Sequence, residues 1–423
     1  MKKLFLLILT FALTGACSFE TSGAKNSEPT DTPTDRQEGE KLVDWPGKPL
    51  ELSGRISEPL VLYNTTALPD QADYIVKGYG DLEAWSDLTI MPGVTIEFTE
   101  GVGIAVEREG SLYAVGTEEQ PIVFTGKEKI PGFWNGILYG TTSENNRLSY
   151  AVVEYGGGDE LNTSAPVALV ALGGYNAEAK VVIDHCTFRH SAGHGLGGRP
   201  ADLTGFSNNT FDDIALSPVT LHFAQARHLD AASTYLGSTL NGMHDVIELT
   251  GGSLSVAMTL KKLDAPYRFG PTSYAVTADI LNIKAPLTID PGVNIHMEED
   301  TGFIVEEMGS LTAQGTTEEP IVFQGELNNG PWLGLGFLNT SANNLLDRVE
   351  LDGGGGDDAS FGSEGLFYPA TVAVGAANDV YGKLTFTNST ITNSVGWGVY
   401  VYPDGDLTQS GNTFNNNASG DIN

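Results

Sequence analysis

Leu88-Thr89-Ile90-Met91-Pro92-Gly93-Val94-Thr95-Ile96 returns as Leu287-Thr288-Ile289-Asp290-Pro291-Gly292-Val293-Asn294-Ile295, an offset of 199 between Leu88 and Leu287. At that offset Gly110-Ser111-Leu112 matches Gly309-Ser310-Leu311, and Pro121-Ile122-Val123-Phe124 matches Pro320-Ile321-Val322-Phe323. Trp134 answers Trp332, and Gly156-Gly157-Gly158-Asp159 answers Gly354-Gly355-Gly356-Asp357. Further along, Asn209-Thr210-Phe211 answers Asn412-Thr413-Phe414. The body is therefore a duplication, with halves at residues 44–242 and 243–423. Within each half the apolar period is two. Val94, Ile96 and Phe98 share one face while Thr95 and Glu97 take the other, and Val293-Asn294-Ile295-His296-Met297 repeats the alternation. Runs of four to six such residues close on Pro-Gly, Gly-Thr or Gly/Asn clusters, which predicts an all-β chain of short strands.

Sandwich and solenoid are separated by their connections. Sandwich strands are joined by Asn-Gly or Asp-Gly hairpins, which are scarce between the alternating runs here. The recurring forms are instead Leu-Thr-Ile-x-Pro-Gly-Val-x-Ile, Gly-Ser-Leu-x-Ala-x-Gly-Thr and Asn-x-Thr-Phe. These resemble the right-handed parallel β-helix family, the pectin-lyase-like architecture, over most of residues 85–215 and 284–417. The resemblance implies a tandem-duplicated solenoid in which like residues stack coil over coil. Asn208, Asn209, Asn388, Asn393, Asn412 and Asn415–Asn417 are then expected to form polar ladders at the turns.

The start of the chain speaks to compartment. Lys2 and Lys3 precede an apolar run from Leu4 to Leu13, followed by small residues, a pattern of secretion rather than of a membrane span. Leu13-Thr14-Gly15-Ala16-Cys17 resembles the lipobox of bacterial lipoproteins, with Thr14 where that family usually places leucine. The resemblance implies cleavage after residue 16, acylation of Cys17 and membrane attachment through the lipid, each buried methylene contributing ~0.8 kcal/mol. Ser18, rather than aspartate, follows the cysteine, which points to the outer membrane. Residues 17–43, rich in Ser, Thr, Pro and acids, read as a disordered tether. The chain has only one other cysteine, Cys186, so lipidation of Cys17 leaves no intramolecular disulfide.

Charge narrows the partners. The formal net charge is −32, and loss of Lys2 and Lys3 with the leader would make it −34. Nucleic acid is excluded as a partner, because its binding rests on lysine and arginine. A polysaccharide or a surface protein remains.

Four sets of residues are candidates for chemistry. Val182-Ile183-Asp184-His185-Cys186 resembles a Trp-Ile-Asp-His-Cys segment of pectate lyases, and Arg199-Pro200 resembles their arginine-bearing element. That likeness implies Asp184, His185 and Arg199 as the catalytic set of a β-elimination, in which a base removes a proton beside a carboxylate. Val182 replaces the tryptophan, and the second half has Thr387-Asn388 in place of Asp184-His185. His185, His190 and His194 invite a metal site, yet Asn388, Asn393 and Trp397 answer them in the second half, as hydrogen-bonded turn positions would allow. Asp159, Glu160, Asp357 and Asp358 close glycine-rich loops and could offer oxygens to calcium as a cofactor. Trp134, Trp332 and Trp397 suit either a core anchor or a sugar-stacking platform. The function expected is a non-enzymatic binding or structural module of the cell envelope. The alternative is a polysaccharide lyase or hydrolase on the same fold.

Overall fold

The computed structural model describes residues 48–423 apart from 67–70, 162–164, 174–177, 199–200, 238–244, 271–278, 307, 327–329 and 357–368. Cys17, Arg199, Asp357 and Asp358 lie outside the described residues. The fold is an all-β parallel helix whose strands, two to six residues long, stack in long parallel sheets. The chain divides into two compact units. Unit 1 comprises residues up to 218 with 232–244, and unit 2 comprises 219–231 with 245–423.

Each unit wraps three sheets around its own interior. In unit 1 the first sheet carries Tyr74–Val76, Thr95–Phe98, Ile122–Gly126, Ala151–Glu154, Thr187–Ser191 and Thr210–Ile214 in that order. Chain neighbours in the sheet lie some two dozen to three dozen residues apart, because each coil visits all three sheets before returning. The register aligns Tyr74, Ile96, Phe124, Val153, Phe188 and Phe211 in one inward row. All six are buried, and the Phe188 and Phe211 rings stack 4.9 Å apart. Unit 2 repeats the row as Ile247, Tyr267, Ile295, Phe323, Leu351, Ile391 and Phe414. Each fully buried apolar side chain in such a row stabilises by roughly 1.5–3 kcal/mol, which lets the body stand without disulfides.

Corners between sheets are made by residues with positive φ, a conformation that asparagine, aspartate and histidine tolerate better than most. In unit 1 these include Tyr150 (48°), His185 (54°) and Asn208 (54°) before the first-sheet strands, and Tyr155 (61°), His190 (55°) and Asp213 (51°) at their far ends. Unit 2 has Arg348 (53°) and Asn388 (50°) at the first corner, and Gly353 (71°), Asn393 (55°) and Asn416 (57°) at the second.

Asn209 and Asn412 occupy matching positions in the two units and each bonds inward to backbone. Asn209 Oδ1 accepts from the Cys186 N–H at 3.0 Å and its Nδ2 donates to the Ile183 carbonyl at 3.0 Å. Asn412 does the same for the Ser389 N–H and the Phe386 carbonyl. These amides satisfy backbone groups that turn inward at a corner, fully buried at Asn209 and half-buried at Asn412.

Candidate functional site

The outer face of the first sheet of unit 1 concentrates the polar chemistry. Its strands present Glu97, Thr125, Glu154, Arg189 and Asp212 in one outward row. Glu154 is 7 % exposed although it faces outward, because its neighbours close over it. Its Oε1 accepts from Thr125 Oγ1 at 2.9 Å, and its Oε2 accepts from Arg189 Nε at 2.7 Å and Nη2 at 2.6 Å. Lys129 Nζ donates to Thr125 Oγ1 at 2.8 Å and to the Gly126 carbonyl at 3.0 Å. Such charge-assisted contacts, two of them converging on Glu154 Oε2, fix the floor of the face.

Two stacks of rings flank that floor. On one side Tyr150 stacks on His185 with centroids 4.5 Å apart; on the other Tyr155 stacks on His190 at 4.7 Å. Tyr150 and Tyr155 are separated by the strand Ala151–Glu154, which at about 3.3 Å per residue sets the two stacks roughly 16 Å apart. One face of each ring is covered by its partner, and Tyr150, Tyr155 and His190 are half-buried while His185 is exposed. His190 Nδ1 pairs with Asp213 Oδ2 at 2.7 Å and His185 Nδ1 lies 3.3 Å from Asp184 Oδ1, which leaves Nε2 of each imidazole for a ligand. We call this strip of the sheet face the trough: a Tyr–His stack at each end, with Arg189 and the buried Glu154 and Thr125 between.

Asp184 and His185 sit at this site. Arg199 lies outside the described residues; the guanidinium beside Asp184 belongs to Arg147, one coil away. Arg147 Nη2 meets Asp184 Oδ2 at 2.8 Å, and Arg147 Nε donates to Ser149 Oγ at 2.8 Å. Unit 2 builds the same cluster with the carboxylate moved. Asp347 stands where Ser149 does, and accepts from Thr387 Oγ1 at 2.9 Å, from Asn388 Nδ2 at 2.8 Å and from Arg348. Burial pushes the Asp347 carboxyl up, but the hydrogen bonds from Asn388, Thr387 and Gln314 and the Arg348 charge outweigh it and hold it below the usual carboxylate value. Each unit thus keeps one carboxylate, one arginine and one corner residue here. The replacement of Asp184-His185 by Thr387-Asn388 is a rearrangement of a polar network.

The second corner differs more. Asp352 replaces Glu154, and it accepts from Thr392 Oγ1 and, at 2.7 Å, from Asn393 Nδ2. Asn416 Nδ2 then donates to Asn393 Oδ1 at 2.7 Å. Arg189, His190 and Asp213 have become Thr392, Asn393 and Asn416, so the ionic and aromatic trough is specific to unit 1.

The remaining candidates are placed as follows. Trp134 and Trp332 are fully buried, so neither is a sugar platform; both are core anchors. Trp134 stacks on Phe98 at 4.0 Å and donates from Nε1 to the Glu154 carbonyl at 2.8 Å, while Trp332 Nε1 donates to the Asp352 carbonyl at 2.7 Å. Trp397 is half-buried, its edge against Tyr400 at 6.3 Å, with Gly420 packed over the ring. The three histidines do not converge. His185 and His190 bracket one strand with separate carboxylates, and His194 Nδ1 accepts from the Ser217 N–H at 3.2 Å. Asp159 and Glu160 are exposed on their loop, where Asp159 Oδ1 accepts the Glu160 N–H at 2.8 Å. Among the described residues no group of three or more His, Cys, Asp or Glu is arranged around a metal position.

Sequence reading missed Glu154, Arg189, Arg147, Tyr150 and Tyr155. Their common signal was faint: each precedes or faces a corner residue, and only the coil register brings them together.

No curated protein and no solved structure matches the chain. A family model described as a pectate-lyase-like β-helix domain matches residues 60–179, which take in Trp134, Arg147, Tyr150, Glu154 and Tyr155 and stop short of Asp184. Over that stretch of unit 1 the chain is similar to a pectate-lyase-like β-helix domain, and its parallel-strand architecture agrees with that likeness.

Proposed function

We propose that this chain is a lipid-anchored protein of the bacterial cell envelope that binds a glycan strand, without cleaving it, in the first-sheet trough of unit 1. The observation that carries the reading is the pair of Tyr–His stacks, 4.5 and 4.7 Å between rings, flanking the Glu154–Arg189 floor. A hydroxyl-rich polymer needs many outward donors and acceptors held in place before it arrives, and ring edges on a rigid sheet supply them at low entropic cost. A solenoid repeats such edges coil after coil, which suits an extended ligand. Attachment through Cys17, with residues 17–43 as tether and the outer membrane as destination, rests on the lipobox-like sequence.

Non-enzymatic binding is favoured because the strong acids and bases of the trough are already committed to one another. Arg189 is clamped by Glu154, Arg147 by Asp184, and His190 by Asp213. One observation favours a lyase or hydrolase as the second reading: Asp184, His185 and Arg147 lie within hydrogen-bonding reach in a single cluster.

Incubating the protein with soluble and insoluble polysaccharides, with and without calcium, separates the two. Retention of a polysaccharide with no new reducing or unsaturated ends is the expected result. Product that disappears in Asp184→Ala would replace the binding reading with the enzymatic one.

A further inference from the structure

Resting on that reading, we infer that the glycan held by the trough is uncharged, and that acidic polysaccharides are turned away. The ionic census of the face carries this. The two arginines are matched one for one: Arg147 by Asp184 at 2.8 Å, Arg189 by Glu154 at 2.6 Å. What remains ionic on the floor and its adjoining loop is Lys127 and Lys129 against Glu97, Glu128 and Asp212, with Asp213 on the rim already bound to His190. Lys129 is itself spent on Thr125 and the Gly126 carbonyl and lies 5.8 Å from the Tyr155 ring. Asp159 and Glu160 add two exposed carboxylates on the loop that leaves Tyr155.

Among the described residues, a uronate, sulfate or phosphate entering this trough would find no guanidinium without a carboxylate partner and, at Lys127, an exposed ammonium outnumbered by the nearby acids; it would also meet the field of a chain with formal net charge −32. The face lies within a Debye length, about 8 Å at physiological salt, of its own carboxylates, so that field acts at the site. An uncharged polymer escapes the repulsion and keeps every contact offered by the Tyr and His edges. Selectivity by repulsion of the wrong partner is as effective as attraction of the right one.

Glu154 is the residue on which this discrimination turns. Glu154→Gln would leave the shape and the Thr125 contact, while freeing the Arg189 guanidinium for an incoming anion. Glu97→Gln, at a half-exposed position with less packing to disturb, would lower the local negative charge without touching Arg189.

The test uses the full chain and one polymer in two charge states: polygalacturonate fully methyl-esterified, which is neutral, and the same sample de-esterified. A panel of neutral glucans and mannans runs beside them. The wild type is expected to bind at least one neutral polymer and to bind the de-esterified polymer at least tenfold more weakly than its ester, with the gap narrowing as salt is raised. Glu154→Gln and Glu97→Gln should each improve binding of the de-esterified form, Glu154→Gln by more. Tighter binding of the polyanion by the wild type would overturn the inference while leaving glycan binding standing. Failure to retain any polymer, neutral or acidic, would remove the glycan reading and this inference with it.

Discussion

At the scale of single residues, two buried groups in unit 1 are informative because unit 2 solves the same position differently. Tyr139 is fully buried and its hydroxyl has no hydrogen-bond partner among the described residues; the matching residue of unit 2 is Phe337, equally buried. An unsatisfied buried hydroxyl costs about 1–3 kcal/mol. Tyr139→Phe is therefore expected to hold or raise stability in urea unfolding, and a loss greater than about 1 kcal/mol would show that the hydroxyl is satisfied. Cys186 occupies the position of Ser389, whose Oγ accepts the Val349 N–H at 2.9 Å and donates to the Thr387 carbonyl at 2.7 Å. The Cys186 thiol contacts the Leu148 and Asp184 carbonyls, each at 3.3 Å, and burial pushes it up to about 12. It should react with a thiol reagent only as fast as unit 1 opens. Rapid modification of native protein would contradict its placement, and Cys186→Ser should fold normally with the serine taking up the contacts seen at Ser389.

At the scale of elements, the corner ladders explain which parts of the site could be read from sequence. His185/Asn388 and His190/Asn393 were legible as interchangeable turn residues, and all four have φ near 50–55°. Their partners were not legible, because Arg147 reaches Asp184 across 37 residues and Arg189 reaches Glu154 across 35, distances set by coil length rather than by any motif. The moved carboxylate gives a prediction at this scale. Asp347 has a folded-state pKa below its ordinary value, so its stabilisation is complete above that ordinary value and is lost as pH falls through the folded one. Asp347→Asn should cost roughly 1–3 kcal/mol at neutral pH, in line with breaking a buried hydrogen-bonded set. The gap between wild type and variant should shrink in urea titrations carried from about pH 6 to about pH 2; a constant gap would mean the carboxylate does not carry the network.

At the scale of the whole molecule, the period of two and the turns were legible in Leu-Thr-Ile-x-Pro-Gly-Val, the duplication in the offset of 199, and the parallel solenoid through the resemblance of the recurring forms to the β-helix family. Tryptophan was ambiguous for the opposite reason: Trp134 and Trp332 carry the same letter whether they face in or out, and only the Phe98 stack and the bonds to the Glu154 and Asp352 carbonyls decide it. Duplication also lets each unit serve as the other's control. Unit 1 holds Tyr150, Tyr155, His185 and His190 where unit 2 holds Arg348, Gly353, Asn388 and Asn393, so a ligand site in the first should be absent from the second. The most direct test measures affinity for the retained polysaccharide in Tyr155→Ala and in Asn393→Ala, one change from the trough of unit 1 and one from the corresponding corner of unit 2. The account predicts at least a tenfold loss in the first, none in the second, and no cleavage in either; equal losses, or an unchanged Tyr155→Ala, would contradict it.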